Sequence, residues 1–155
     1  MAETLQIFLN DNTKMTLEQI YNENYVLYDG EISSIHFDYQ NGTIIKIIIS
    51  TKQYLKKEKY RTCKLLMTLT KIVELNLFDN SEILGNYSDI TILKLENGNY
   101  YVAFDPYDNT NKPHENDNNI FISENIEFEE IYENNNSFIK KIFTESDGRR
   151  NALPQ

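Results

Sequence analysis

Two Asn-Gly dipeptides, each set between runs of alternating apolar and polar residues, constrain this chain more than any other feature. In the first, Ile32 to Tyr39 leads into Gln40-Asn41-Gly42, and Thr43 to Thr51 returns. In the second, Asp89 to Glu96 turns at Asn97-Gly98 and comes back through Tyr100 to Phe104. Asn-Gly suits a type I′ turn because both central residues tolerate positive φ, so each segment predicts an antiparallel hairpin. Side-chain parity agrees: Ile35, Phe37 and Tyr39 share one face while His36 and Asp38 share the other, as a half-buried strand requires.

Other segments extend the same pattern. Between Tyr60 and Leu77, Cys63, Leu65, Met67 and Leu69 alternate with Leu66, Thr68 and Thr70, which predicts one long strand or two strands broken near Lys71. Lys52 to Lys59 carries four lysines and reads as an exposed link or strand edge, where lysine discourages edge-to-edge pairing. Periodicity lapses after Asp105 and resumes with Ile120 to Ser123 and Ile126 to Tyr132; Phe138 to Phe143 reads as a last short strand or helical turn. Near the start, Thr16-Leu17-Glu18-Gln19 has the form of a capping box, with Leu17, Ile20 and Tyr21 on one helical face behind it. No shift in composition divides the chain. The expectation is one β-rich domain over 1–145 and a flexible tail over 146–155. Its class is α+β, mostly antiparallel β-sheet with a short N-terminal helix.

Charge and cysteine content narrow the functional classes. Fifteen basic residues against twenty-four acidic ones give a net charge of −9, which disfavours phosphate backbones and would steer a basic partner toward the protein. The single cysteine, Cys63, excludes an intramolecular disulfide framework, and the N-terminus lacks the basic-plus-apolar pattern of a secretory leader. The longest apolar runs, around Ile44 to Ile49 and Leu65 to Met67, are far short of a bilayer span. These features predict a cytoplasmic protein with neither nucleic acid nor membrane as its partner.

Chemical motifs are sparse. The loop from Asp105 to Asn119 is rich in side-chain oxygens, but an EF-hand needs Gly at its sixth position and Glu at its twelfth, where this chain has Thr110 and Asn116. The two histidines, His36 and His114, and the lone cysteine have no zinc-type spacing. Cys63, His114 and Asp117 are the ingredients of a cysteine enzyme, yet Cys63 stands in strand parity with Leu65, Met67 and Leu69 as a small buried thiol would. The five glycines are scattered and form no phosphate loop. No catalytic residue, metal or cofactor is predicted, and a cysteine or carboxylate hydrolase is the minor alternative.

What remains is acidic surface. If Ile126, Phe128 and Glu130 share one strand face, Glu127 and Glu129 fall on the other, as part of an exposed row beside the Asp105 to Asp117 loop. Here the second half resembles the small immunity proteins that accompany bacterial polymorphic toxins. The resemblance is carried by Tyr87-Ser88-Asp89-Ile90, the Asn97-Gly98 hairpin, Tyr100 to Asp108 with its Asp-Pro turn, and the Asn116-Asp117-Asn118 run before a strand. It covers the middle third of the chain and implies a non-enzymatic protein that binds and neutralises a cognate toxin. The expected contacts are Asp105, Tyr107, Asp108, Glu115 and Asp117 in the loop, with Glu127 and Glu129 beside it. An intracellular adaptor or structural domain without inhibitory role is the alternative. A second resemblance, of Gly148-Arg149-Arg150-Asn151-Ala152-Leu153 to the pseudosubstrate of cyclic-AMP-dependent protein kinase inhibitors, implies kinase inhibition through the tail; Ser146 stands where that family has a third arginine.

Overall fold

The computed structural model describes residues 14–39, 42–77 and 83–132, so Phe138 to Phe143 and the 146–155 tail lie outside it. Seven antiparallel strands, β1 (Tyr25–Asp38), β2 (Ile44–Tyr54), β3 (Tyr60–Asn76), β4 (Gly85–Tyr87), β5 (Thr91–Lys94), β6 (Tyr100–Asp105) and β7 (Asn118–Ile131), form one sheet in the order β4-β1-β2-β3-β7-β6-β5. The single described helix, α1 (Leu17–Asn22), is six residues long. The described residues are therefore mostly antiparallel β-sheet with one short helix.

Topology forces the sheet to curl. Strands β4 and β5 are its opposite edges, yet only Ser88, Asp89 and Ile90 join them. Seven strands laid flat would hold their edges roughly 29 Å apart at about 4.8 Å per step. A three-residue link reaches at most roughly 14 Å. The sheet accordingly bends into a half-barrel, and its concave face holds the core. Ile45, Ile47 and Ile49 of β2, Leu65, Met67 and Leu69 of β3, Val102 and Phe104 of β6, and Phe121, Ile126 and Phe128 of β7 are all buried there. Phe104 meets Tyr87 and Phe121 edge-on at 5.3 and 6.0 Å, tying the two edge regions together. A smaller cluster of Tyr101, Ala103 and Ile120 covers part of the other face.

The alternation in β3 predicts this packing, with Cys63 at its margin. Lys71 does not break the strand; it takes φ +54, and the register with β7 shifts between Ile72 and Glu74, so the core-facing parity changes from odd to even in one continuous element. In β1, Ile35 and Phe37 pack on the core, whereas Tyr39 stays 68% exposed and stacks on Phe37 at the strand end.

The hairpin turns differ from the type I′ expectation. Lys94 pairs with Tyr100, Gly98 N–H bonds to Leu95 O, Leu95 N–H bonds to Asn99 O, and only Gly98 has positive φ. That is a three-residue loop closing in a G1 bulge, which requires one left-handed residue rather than two. The first hairpin has the same odd spacing, with Asp38 opposite Ile44 and Gly42 at φ +82; Gln40 and Asn41 lie outside the described residues. Of the two readings of Lys52 to Lys59 the exposed link holds: Leu55 to Lys59 are exposed and close the hairpin between two central strands, with Tyr54 opposite Tyr60, and the segment is not a sheet edge.

The capping box of α1 is present. Gln19 N–H donates to Thr16 Oγ1 at 3.2 Å, and Thr16 N–H donates to Gln19 Oε1 at 2.8 Å. Ile20 is fully buried and Leu17 packs beside it, but Tyr21 points away from that packing and is 46% exposed. Met15 pins the segment by exchanging two backbone hydrogen bonds with Phe128. Thr16→Ala removes the cap and is expected to lower stability by about 1 kcal/mol, read as a lower urea midpoint at unchanged slope.

Candidate functional site

Between β6 and β7 the chain spends twelve residues where a hairpin needs two to five, a length that requires either internal order or a role of its own. Order comes from Asp117. Its Oδ2 accepts from the Tyr101 hydroxyl at 2.7 Å and from His114 N–H at 2.9 Å, and its Oδ1 accepts from Tyr107 N–H at 2.8 Å. Burial opposes its ionisation. The hydrogen bonds from Tyr107, Tyr101 and His114 outweigh that and hold the carboxyl below its ordinary range. Tyr101 in turn has its phenol pushed up by burial and by Asp117.

The loop so fixed presents a defined surface. The Tyr107 and His114 rings stack with centroids 4.1 Å apart and planes 12° apart, leaving Tyr107 62% exposed. Asn116 N–H donates to His114 Nδ1 at 3.0 Å, which places an imidazole proton on Nε2 in the neutral ring. Asp108 accepts from the hydroxyl and N–H of Thr110, which hold its carboxylate low. Asp105 is exposed and accepts from Asn118 Nδ2 at 3.2 Å, and Glu115 is exposed at the loop's turn. Asn111, at φ +55, accepts from Ile92 N–H and so ties the loop to the edge strand β5.

The predicted contact residues thus separate into three groups. Asp105, Tyr107, Asp108 and Glu115 belong to one solvent-facing stretch. Asp117 is 4% exposed and satisfies three donors, so its place is inside the loop, not on its surface. Glu127 and Glu129 share the face opposite Ile126 and Phe128, but they lie nine and eleven residues beyond Asn118, roughly 30 Å or more of strand at 3.3 Å per residue. Glu127 pairs with Lys14 at 3.7 Å. These two carboxylates do not continue the loop's acidic stretch.

At the far end of β7 stands a network that sequence reading did not assemble. Glu130 faces the barrel interior and accepts from both terminal guanidinium nitrogens of Arg61, at 2.5 and 2.8 Å, and from the Tyr25 hydroxyl at 2.9 Å. Arg61 Nε donates to Gln53, whose amide donates to Glu23 O. Burial raises the Glu130 carboxyl, and the bonds from Arg61 and Tyr25 more than reverse it. The signal available in the sequence was the parity of Glu130 with Ile126 and Phe128, since a carboxylate on a core-facing row needs a counter-charge.

Cys63 adjoins this network. Burial, then Glu130, push its thiol up to about 11 against a smaller opposing effect of Arg61. A nucleophilic cysteine needs the reverse shift. His114 and Asp117 precede the first residue of β7, whereas Cys63 lies beside its last residues, and the oxygens of Asp117 are committed to Tyr101 and to backbone N–H groups. Among the described residues no group of three or more His, Cys, Asp or Glu side chains is placed to hold a metal ion, and no helix is long and apolar enough to cross a membrane. Compared with protein-family models, curated proteins and solved structures, the chain has no match.

Proposed function

We propose that this protein is a non-enzymatic binding domain that recognises a basic protein partner through the β6–β7 loop, in the manner of an immunity protein neutralising a toxin. The observation that carries the reading is the loop itself: a carboxylate is buried to order the backbone, and an exposed tyrosine stacked on a half-buried histidine is left among the exposed Asp105 and Glu115 and the half-buried Asp108. An ordered loop loses little conformational entropy on binding, and an exposed Tyr with an acidic surround is the composition of an interface anchor for a cationic surface. Solubility alone would explain the charge. It does not explain why Asp117 is buried to fix the loop's path.

In this reading Tyr107 is the anchor, Asp105, Asp108 and Glu115 steer and orient the partner, and Asp117 acts from within. Glu127 and Glu129 form a separate acidic face that is dispensable. The partner, once isolated from the source cells, provides the test. Reversing the charge of the three outward carboxylates (D105K/D108K/E115K) should cut affinity about tenfold or more, chiefly in the association rate, and should flatten its salt dependence. E127K/E129K should leave both within about twofold. Equal loss in the two variants would mean that only overall charge matters, and the loop would then have no special role.

A further inference from the structure

A cleft opens beside the loop, between it and the first half of β1. It has a volume of about 580 Å³, and its lining includes Tyr21, Tyr28 and Tyr54 together with Asp89, Asn109 and Asn111. We propose that this cleft receives a lysine or arginine side chain of the protein partner; the inference rests on the binding function proposed above and names what that partner must present.

Three tyrosines that are 46, 53 and 40% exposed surround one cavity of a volume typical for ligand clefts. Their ring faces carry negative potential, which attracts a guanidinium or ammonium within about 6 Å of a centroid. Among the described residues no basic side chain lines the cleft, and the one charged side chain that does is Asp89. Sequence positions so far apart meet here because of the topology. Asp29 at φ +54 turns β1 so that its pairing with β4 begins only at Gly30, and among the described residues no strand lies beside Tyr25 to Tyr28 on the edge away from β2. Asp29 N–H bonds to Ser88 O, which brings Asp89 alongside. Asn109 and Asn111 come from the same loop that carries Tyr107 and Asp108, so one partner segment can rest on the loop and extend a side chain into the cleft. The neighbouring Lys52 shows the chemistry at work: its ammonium lies 6.0 Å from the Tyr54 ring and 5.5 Å from the Tyr60 ring, neutralised by Asp29 at 3.8 Å. The longer apolar stem of such a cation packs on ring carbon while its head reaches Asp89.

The test is an NMR titration of the whole isotope-labelled protein with the blocked peptide acetyl-Gly-Arg-Gly-amide, and with its citrulline counterpart, which keeps the shape and loses the charge. The expected result is saturable shifts at Tyr21, Tyr28, Tyr54, Asp89 and Asn109 to Asn111, with citrulline binding about threefold or more weaker and Asp89→Asn weakening the arginine peptide similarly. Tyr28→Leu, which keeps an apolar wall and removes the ring, should do the same. Shifts confined to Asp105, Asp108 and Glu115, equal binding of the citrulline peptide, or shifts in the cleft with methyl N-acetylglucosaminide but not with the arginine peptide would each overturn the assignment. The D105K/D108K/E115K variant separates the two proposals: it should still bind the peptide in the cleft while losing the partner. A cleft that ignores the peptide fails this inference alone, whereas a partner indifferent to the loop reversal fails the functional reading alone.

Discussion

Asp117→Ala should cost about 3 kcal/mol of stability and loosen the β6–β7 loop, the largest effect expected of any loop substitution. The substitution strands the Tyr101 hydroxyl, buried against the outer cluster, and leaves the N–H groups of Tyr107 and His114 without their acceptor. Each orphaned donor costs on the order of 1 kcal/mol or more where water cannot replace the carboxylate. Equilibrium urea unfolding gives the stability, and hydrogen exchange at Tyr107 and His114 reports the loop. Linkage fixes the sign of the pH dependence. Because the folded carboxyl titrates below its unfolded value, near 3.9, its contribution is full above that value and is lost as pH falls through the folded one. The wild-type protein should therefore lose stability below about pH 4 more steeply than Asp117→Ala does. Equal acid sensitivity in the two would show that Asp117 is not the ordering charge.

Glu130→Leu should cost about 2 kcal/mol by leaving the Arg61 guanidinium and the Tyr25 hydroxyl unpaired at the barrel mouth. A fully buried pair would cost more to break, but the Arg61 side chain is 38% exposed and water relieves part of the loss. Replacing the pair together, as Glu130→Leu with Arg61→Met, should recover about half of that loss, because no charge is then left without a partner. A double-mutant cycle measured by urea unfolding reads the coupling directly. Additive losses would mean that the bidentate contact contributes nothing in solution. Glu130 also titrates low, so its share of stability fades with falling pH in the same acid range as that of Asp117.

How far the sequence led depends on whether a feature was local. Strand parity in β3 and β7 was legible because the core side of each is buried, which imposes a period of two on Leu65 to Leu69 and Ile126 to Phe128. The helix start was legible for the same reason, since a capping box is four adjacent residues. Turn type was not. Asn-Gly permits both a two-residue turn and a G1 bulge, and the pairing of Lys94 with Tyr100 selects the second. Lys71 was readable as an irregularity but not as a bulge within an unbroken strand.

The site shows the same division. The loop stood out by its length and composition, yet nothing in Asn116-Asp117-Asn118-Asn119 distinguishes the buried carboxylate from its exposed neighbours. Only the approach of Tyr101 from β6 reveals it. Glu127 and Glu129 were placed on the correct face of β7 and at the wrong distance from the loop, because parity gives a side but not a position along a curved sheet. The tyrosine-walled cleft had no sequence signature. Its residues come from α1, β1, β2, the β4–β5 link and the β6–β7 loop.

The most direct measurement is affinity capture from the source cells with three immobilised proteins, the wild type, D105K/D108K/E115K and E127K/E129K, each checked for folding by circular dichroism, with bound species quantified by mass spectrometry at low and moderate salt. A basic protein retained in near-stoichiometric amount by the wild type and by E127K/E129K, weakened by salt and lost from the loop variant, is the predicted result. The same protein bound equally by all three, or no protein selected by the wild type at either salt, would contradict recognition through the loop.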